Sequence, residues 1–299
     1  MTISRRALLL GGGAAGVAAL ASGYLLVEKD VLPGRIRLNQ ALEGLPLVGE
    51  GPPAVPRVDP GPIVTGSFFS RARDTDVGWT VAYPPGFDDR ANLPVSLLLH
   101  GRDADNTWMF DDLSLQYYLA QATEVEGVTP FAIASIDGGS ATNWHRRTSG
   151  DDPQAMLIDE FMPMLASRGL ITSRIGLWGW SLGGYGALLL AADLGADRVG
   201  AVVATSPALW LAPEDTAPDV FDDAADFERN DVFTKVAGLQ GIPLRIDIGD
   251  DDSFTSNVKA FIDALPRPPA GAVSNGFHDA SYWMKVAPDE IAFLGHHLS

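Results

Sequence analysis

The sequence predicts an α/β protein built on a mostly parallel, doubly wound sheet with helices on both faces. Two patterns carry this expectation. Short apolar runs recur between turn residues, at Val95 to Leu99, Phe131 to Ile136, Ile175 to Trp178, Ala201 to Thr205 and Leu244 to Ile248. Their hydrophobicity is continuous rather than alternating, which marks strands covered on both sides. Between them lie helix-like stretches, Gln154 to Ser167 with Leu157, Ile158, Phe161, Met164 and Leu165 on one face, and Leu182 to Leu194. Strand alternating with helix gives a parallel sheet whose working groups sit beyond the carboxyl ends of the strands. An earlier segment, Trp79 to Tyr83 ahead of Pro84-Pro85-Gly86, reads as an antiparallel edge strand and its turn.

A chain of 299 residues with 46% apolar content can bury one sizeable core. Its formal charge of −17 argues against nucleic acid as a partner, because phosphate contacts need clustered Lys and Arg. With no cysteine, disulfides, thiolate metal sites and a cysteine nucleophile are all excluded.

Ser4-Arg5-Arg6 precedes an uncharged Gly/Ala/Leu-rich run from Ala7 to Val27, the layout of a twin-arginine export signal. Residues 1–30 are therefore set apart as a signal or membrane anchor. The run is long enough to span a bilayer if uncut, and Ala19-Leu20-Ala21 offers a small-residue cleavage site, so cleaved and anchored forms both stay open. In either form the following chain is expected outside the cytoplasm. Residues 31–62 are rich in Pro and Gly and read as a tether, leaving 63–299 as the catalytic domain.

The strand ending at Trp178 runs into Gly179-Trp180-Ser181-Leu182-Gly183 and then a helix, the pattern of the nucleophile elbow of the α/β-hydrolase fold. Glycines two before and two after Ser181 let a strained turn present its hydroxyl. A serine is a poor nucleophile until an imidazole takes its proton, and this fold supplies partners in the chain order Ser, acid, His. His100 and His145 precede Ser181, and His296 and His297 lie near the end of a final helix, which leaves His278, after the short strand and loop Val273 to Phe277. For the acid, Gly249-Asp250-Asp251-Asp252 follows the last long strand, and spacing leaves the three aspartates tied. A calcium loop is the rival reading of that triplet. The oxyanion needs two backbone donors, for which Leu182, after the nucleophile, and Arg102, after His100-Gly101, fit. His100 itself is expected to hold its loop by a hydrogen bond. Trp144, His145 and Trp210 are candidates to line the substrate cleft, with core or lid packing the alternative. Asp279 either tunes His278 or caps the helix after it.

Together these residues resemble an esterase family that includes esterase D, S-formylglutathione hydrolase and the antigen 85 mycolyltransferases. The resemblance spans about residues 65 to 299 and includes Leu99-His100-Gly101, Ile136-Asp137-Gly138-Gly139, Asn143-Trp144-His145, Gly150-Asp151-Asp152-Pro153 and Gly276-Phe277-His278-Asp279 with Tyr282-Trp283. It implies that Asp252, the fourth residue of the Gly-x-x-Asp stretch, is the acid, and that Arg102 carries the second oxyanion amide where relatives have a hydrophobic residue. The reading is thus an exported serine esterase acting through an acyl-Ser181 on a small-molecule or lipid ester, with no cofactor or metal. Transfer of the acyl group to an acceptor alcohol and a non-catalytic binding protein on the same scaffold are the alternatives. Oligomeric state is left open.

Overall fold

The structure is a computed structural model that describes residues 52–139, 143–217 and 219–298. The leader and most of the tether, residues 1–51, lie outside the described residues. Residues 52–62 carry no helix or strand. They nevertheless close onto the domain, with Val55 packed against buried side chains and the Pro62 carbonyl accepting from the Tyr83 amide at 3.0 Å. Among the described residues no helix is long and apolar enough to cross a membrane.

Eight strands form one sheet among the described residues: β1 (Ile63–Ser70), β2 (Thr75–Ala82), β3 (Pro94–Leu99), β4 (Ala132–Ile136), β5 (Ile171–Trp180), β6 (Val199–Thr205), β7 (Leu244–Gly249) and β8 (Val273–Ser274). Their order is β1-β2-β4-β3-β5-β6-β7-β8. β1, β2 and β4 pair antiparallel, and every pairing from β4 through β3 to β8 is parallel. The expected strands are all present. One placement differs: the segment expected at the edge, within β2, lies inside the sheet between β1 and β4, and β1 forms the edge. β1 keeps mostly exposed side chains and offers no apolar run, which is why its strand character is faint in the sequence.

Alternate residues of the central strands feed two cores. Leu97, Leu99 and Leu177 face α3 (residues 153–167), α4 (Leu182–Leu194) and α6 (Thr255–Ala264) through Leu157, Phe161, Leu188 and Phe261. Leu98, Trp178 and Trp180 face α1 (Trp108–Asp111), α2 (Leu115–Glu124) and α7 (Ala280–Leu298) through Phe110, Leu119, Ile291 and Leu294. A short α5 (Ala224–Asn230) lies between β6 and β7 in the chain. Helix α3 covers the predicted stretch but widens to π-helical geometry at Met156–Phe161, just before Pro163, which has no amide to donate. The Glu160 carboxylate on that widened turn accepts from the Ser70 hydroxyl at 2.6 Å and the Arg71 amide at 2.9 Å, holding the β1–β2 turn.

Leu97 is fully buried at the centre of the sheet. Leu97→Ala should lower stability by about 2–5 kcal/mol, because close-packed strands cannot collapse around the lost volume. Urea unfolding of the two proteins reads this directly.

Candidate active site

Ser181 sits between the last residue of β5 and the first residue of α4, with φ 52° and ψ −117°, a left-handed-side backbone that side chains rarely adopt. Three backbone bonds hold it there. Its amide donates to the Thr205 carbonyl at 3.1 Å, and its carbonyl accepts from Tyr185 at 3.1 Å and Ala208 at 2.9 Å. The flanking glycines are required by space: a Cβ at Gly179 would fall on the Gly183 carbonyl, and one at Gly183 on the Leu99 carbonyl. Gly101 approaches Ser181 as well, since a Cβ there would lie 3.3 Å from the Ser181 Cβ.

The Ser181 hydroxyl donates to His278 Nε2 at 3.0 Å, and His278 Nδ1 donates to Asp252 Oδ2 at 2.8 Å. Three side chains separated by up to 97 positions thus form one hydrogen-bonded chain. The three aspartates that spacing left tied are separated here. Asp252 has a fully buried side chain whose other oxygen accepts from the Phe254 amide at 2.9 Å. Asp250 instead accepts from the Gly276 amide at 3.1 Å, bracing the histidine loop, and Asp251 is exposed. The imidazole of His278 is flanked by Phe254, 5.6 Å away between ring centroids, and by Trp283, edge-on at 5.3 Å. Asp279 accepts from the Tyr282 amide at 2.9 Å, capping α7.

Leu182, whose amide opens the first turn of α4, follows Ser181 directly, and exposed Arg102 follows Gly101, which approaches Ser181 from the loop after β3. The Arg102 loop is braced from behind. His100 Nδ1 donates to the Gly101 carbonyl at 2.7 Å and Nε2 accepts from the Gly138 amide at 2.9 Å. Asp137 accepts from the Asn106 backbone and side chain, each at 2.8 Å, and from Gly78 at 2.7 Å. Because Nε2 must accept, His100 is a neutral imidazole, and burial, its largest influence, pushes it below its ordinary value.

Trp144 and His145 are both buried in the scaffold behind the site. The Trp144 indole donates to the His100 carbonyl at 3.1 Å, and Cβ atoms at Gly138 or Gly186 would run into its ring. His145 Nε2 donates to Asp226 at 2.9 Å, with both side chains 1% exposed. Burial alone would raise the Asp226 carboxyl, yet bonds from the Asp222 amide and His145 carry it below its ordinary value. Both residues therefore take the packing alternative, as partners of protein atoms rather than of a ligand. Trp210, 7% exposed, joins Leu182, Ala208, Val220 and Phe227 in a small apolar cluster and meets Phe254 edge-on at 5.5 Å. It thus adjoins both the residue after Ser181 and the ring beside His278. Sequence reasoning did not single out Phe254, Asn106 or Asp226. Phe254 lies two residues beyond Asp252 and was open to inspection, whereas Asp226, 81 positions from His145, had no local signal.

The strand order, the elbow and the loops that meet over it define the α/β-hydrolase fold. The family described as "Putative esterase" matches residues 70–267, and the chain belongs to that esterase family. A curated relative, the iron(III) salmochelin esterase of Escherichia coli O6:H1, is 27% identical over 226 residues, covering 71% of this chain and 53% of that protein. The chain therefore spans about half the length of that relative. Among solved structures, a ferulic acid esterase aligns with a TM-score of 0.70 at 21% identity over 79% of this chain and 98% of its own. An S-formylglutathione hydrolase from Agrobacterium tumefaciens aligns with a TM-score of 0.66 at 17% identity, over 79% and 95%. At these identities the structural likeness is one of fold.

The neutral state of His100 sets a pH dependence. A base whose folded value is depressed stabilises the fold above its unfolded value, near 6.5, and that contribution is lost as pH falls, because the unfolded imidazole takes up a proton that the folded one refuses. Between about pH 7 and about pH 5 the wild type should lose up to about 1.4 kcal/mol per pH unit more than His100→Gln, which keeps an acceptor for Gly138. Urea unfolding of both proteins across that range would expose parallel curves if His100 were protonated in the fold.

Proposed function

We propose that the chain is an exported serine esterase that hydrolyses carboxylic esters through an acyl-Ser181 intermediate. The observation that carries this reading is the continuous path Ser181 Oγ, His278, Asp252 with links of 3.0 and 2.8 Å. As the Ser181 oxygen attacks the carbonyl carbon, its proton moves to His278 Nε2. Asp252 keeps the Nδ1 proton in place and stabilises the imidazolium without taking the proton itself. The negative charge that builds on the carbonyl oxygen is received by the Leu182 and Arg102 amides. His278 returns the proton to the departing alcohol. Water then repeats the sequence on the acyl-enzyme, releasing the acid.

Trp210 and Phe254 offer an apolar wall beside the histidine. Export rests on the Ser4-Arg5-Arg6 leader, which lies among residues 1–51.

A fluorophosphonate should label Ser181 in the wild type and leave Ser181→Ala unlabelled, as read by peptide mass spectrometry. With a nitrophenyl ester, Asp252→Asn should lower kcat by roughly 10³- to 10⁴-fold while Asp250→Asn stays within about tenfold of wild type. Equal losses in the two would remove Asp252 from its assigned role. The acyl group found on Ser181 when the wild type is acid-quenched during turnover of a lipid extract identifies the substrate, and appearance of an esterified sugar or glycerol in place of free acid would make the chain a transferase. In a bacterial host, Arg5→Lys with Arg6→Lys should retain the protein in the cytoplasm; fractionation that finds it exported all the same would remove the leader assignment.

A further inference from the structure

Glu290 on α7 is completely buried, and none of the catalytic steps uses it. It lies against three strands at once. The Trp178 indole of β5 donates to Glu290 Oε2 at 3.1 Å, the Thr205 hydroxyl of β6 donates to Oε1 at 2.6 Å, and Asp247 of β7 is the cross-strand neighbour of Thr205, on the same face of the sheet. The same strand ends carry the site. The Thr205 carbonyl accepts the Ser181 amide at 3.1 Å, the Asp247 carbonyl accepts the Ser206 amide at 2.7 Å, and β7 leads within three residues to Asp252. Helix α7 begins two residues after His278, capped by Asp279.

We propose that Glu290 is a positioning residue working as a neutral acid: it shares one proton with Asp247 and pins α7, and through it His278, against the strands that carry Ser181 and Asp252. This rests on the catalytic reading of Ser181 and His278. The charge balance supports it. Asp247, 2% exposed, is gripped by Arg245 through Nε at 2.5 Å and Nη2 at 3.1 Å, and accepts from the Ala272 amide at 3.1 Å. One guanidinium can neutralise one carboxylate. A second bare carboxylate buried beside it would cost several kcal/mol. The charge therefore belongs on Asp247 and the proton on Glu290. Burial first, and then the neighbouring Asp247, push the Glu290 carboxyl well above its ordinary range. The remaining ionisable groups nearby fit this assignment. Asp289 is an exposed carboxylate at 3.4 Å from Arg245, and Tyr282 on the same helix is a neutral phenol held above its ordinary value by burial. Trp178 and Thr205 carry no charge.

The sign follows from linkage. An acid that stays protonated in the fold and ionises in the unfolded chain makes stability fall as pH rises above the unfolded value, by a factor of about ten in the unfolding constant per pH unit. In urea unfolding of the full chain between about pH 6 and about pH 8, the unfolding constant of the wild type relative to Glu290→Gln should rise about tenfold per unit. A ratio independent of pH overturns the neutral acid. If the variant fails to fold, the wild type alone decides: its infrared spectrum in this range should hold a protonated carboxyl band that moves on ¹³C-glutamate labelling, and absence of that band overturns the proposal. For positioning, Glu290→Asp keeps the acid but withdraws it by one methylene. It should lower kcat about tenfold with KM within about twofold, whereas Glu290→Gln stays within about threefold in kcat. Equal kcat in all three proteins removes the positioning role. Fluorophosphonate labelling of wild-type Ser181 tests separately the reading on which this one rests, so the two can fail independently.

Discussion

Helix α4 begins so close to β5 and β3 that no side chain fits at positions 179 or 183, and Ser181 between them is held at positive φ. Strain of this kind costs on the order of 1–3 kcal/mol and persists only when the surroundings over-determine it. Here they do. The Ser181 amide and carbonyl are both engaged by backbone from the β6 side, and Gly101 closes in from the β3 side. The rest of the site is built outward from this crowding, because the hydroxyl can be presented only where three strand ends and one helix start converge.

The loops around the elbow are rigid for electrostatic reasons. Asp137 serves three donors, so the turn after β4 and the loop after β3 are joined through one carboxylate. His100 bridges the same two loops as a neutral imidazole, donating through one nitrogen and accepting through the other. The Trp144 indole completes the brace from below. On the far side, Arg147 binds Asp222 at 2.8 Å and His145 binds Asp226, tying the loop after Asn143 to α5 and the segment just before it. Polar groups buried this deeply are stable only when satisfied, so each bond also restricts the positions the loops can take. Preorganised donors of this kind need no rearrangement as charge develops on a bound carbonyl.

The aromatic residues divide by burial. Trp178 and Trp180 stack under the sheet at 5.0 Å, Trp144 fills the space left by Gly138 and Gly186, and Phe254, Trp283 and Trp210 gather around His278 and Leu182. Only the last group adjoins His278 and the residue after Ser181. An imidazole between two rings is restrained in rotation yet retains edges for hydrogen bonding, which suits a group that must face Ser181 and Asp252 together.

By itself the sequence determined the parallel sheet, the elbow at Ser181, and the choice of His278 among five histidines, because these depend on local patterns: apolar runs, glycine spacing and chain order. Fold class and the elbow are legible because the backbone there demands particular residues at short range. Tertiary structure decided the rest. Asp250, Asp251 and Asp252 are chemically identical and adjacent, so spacing ties them; resemblance points to Asp252, and the direction of each side chain against the histidine loop separates them physically. Trp144 and His145 look like cleft residues by composition but lie in the interior, since their burial depends on Gly186 and Asp226, far away along the chain, as well as on nearby Gly138. β2 takes an inner place because β1, which lacks an apolar signature, pairs outside it. Pairings across such sequence distances arise from packing in three dimensions, and no local pattern encodes them.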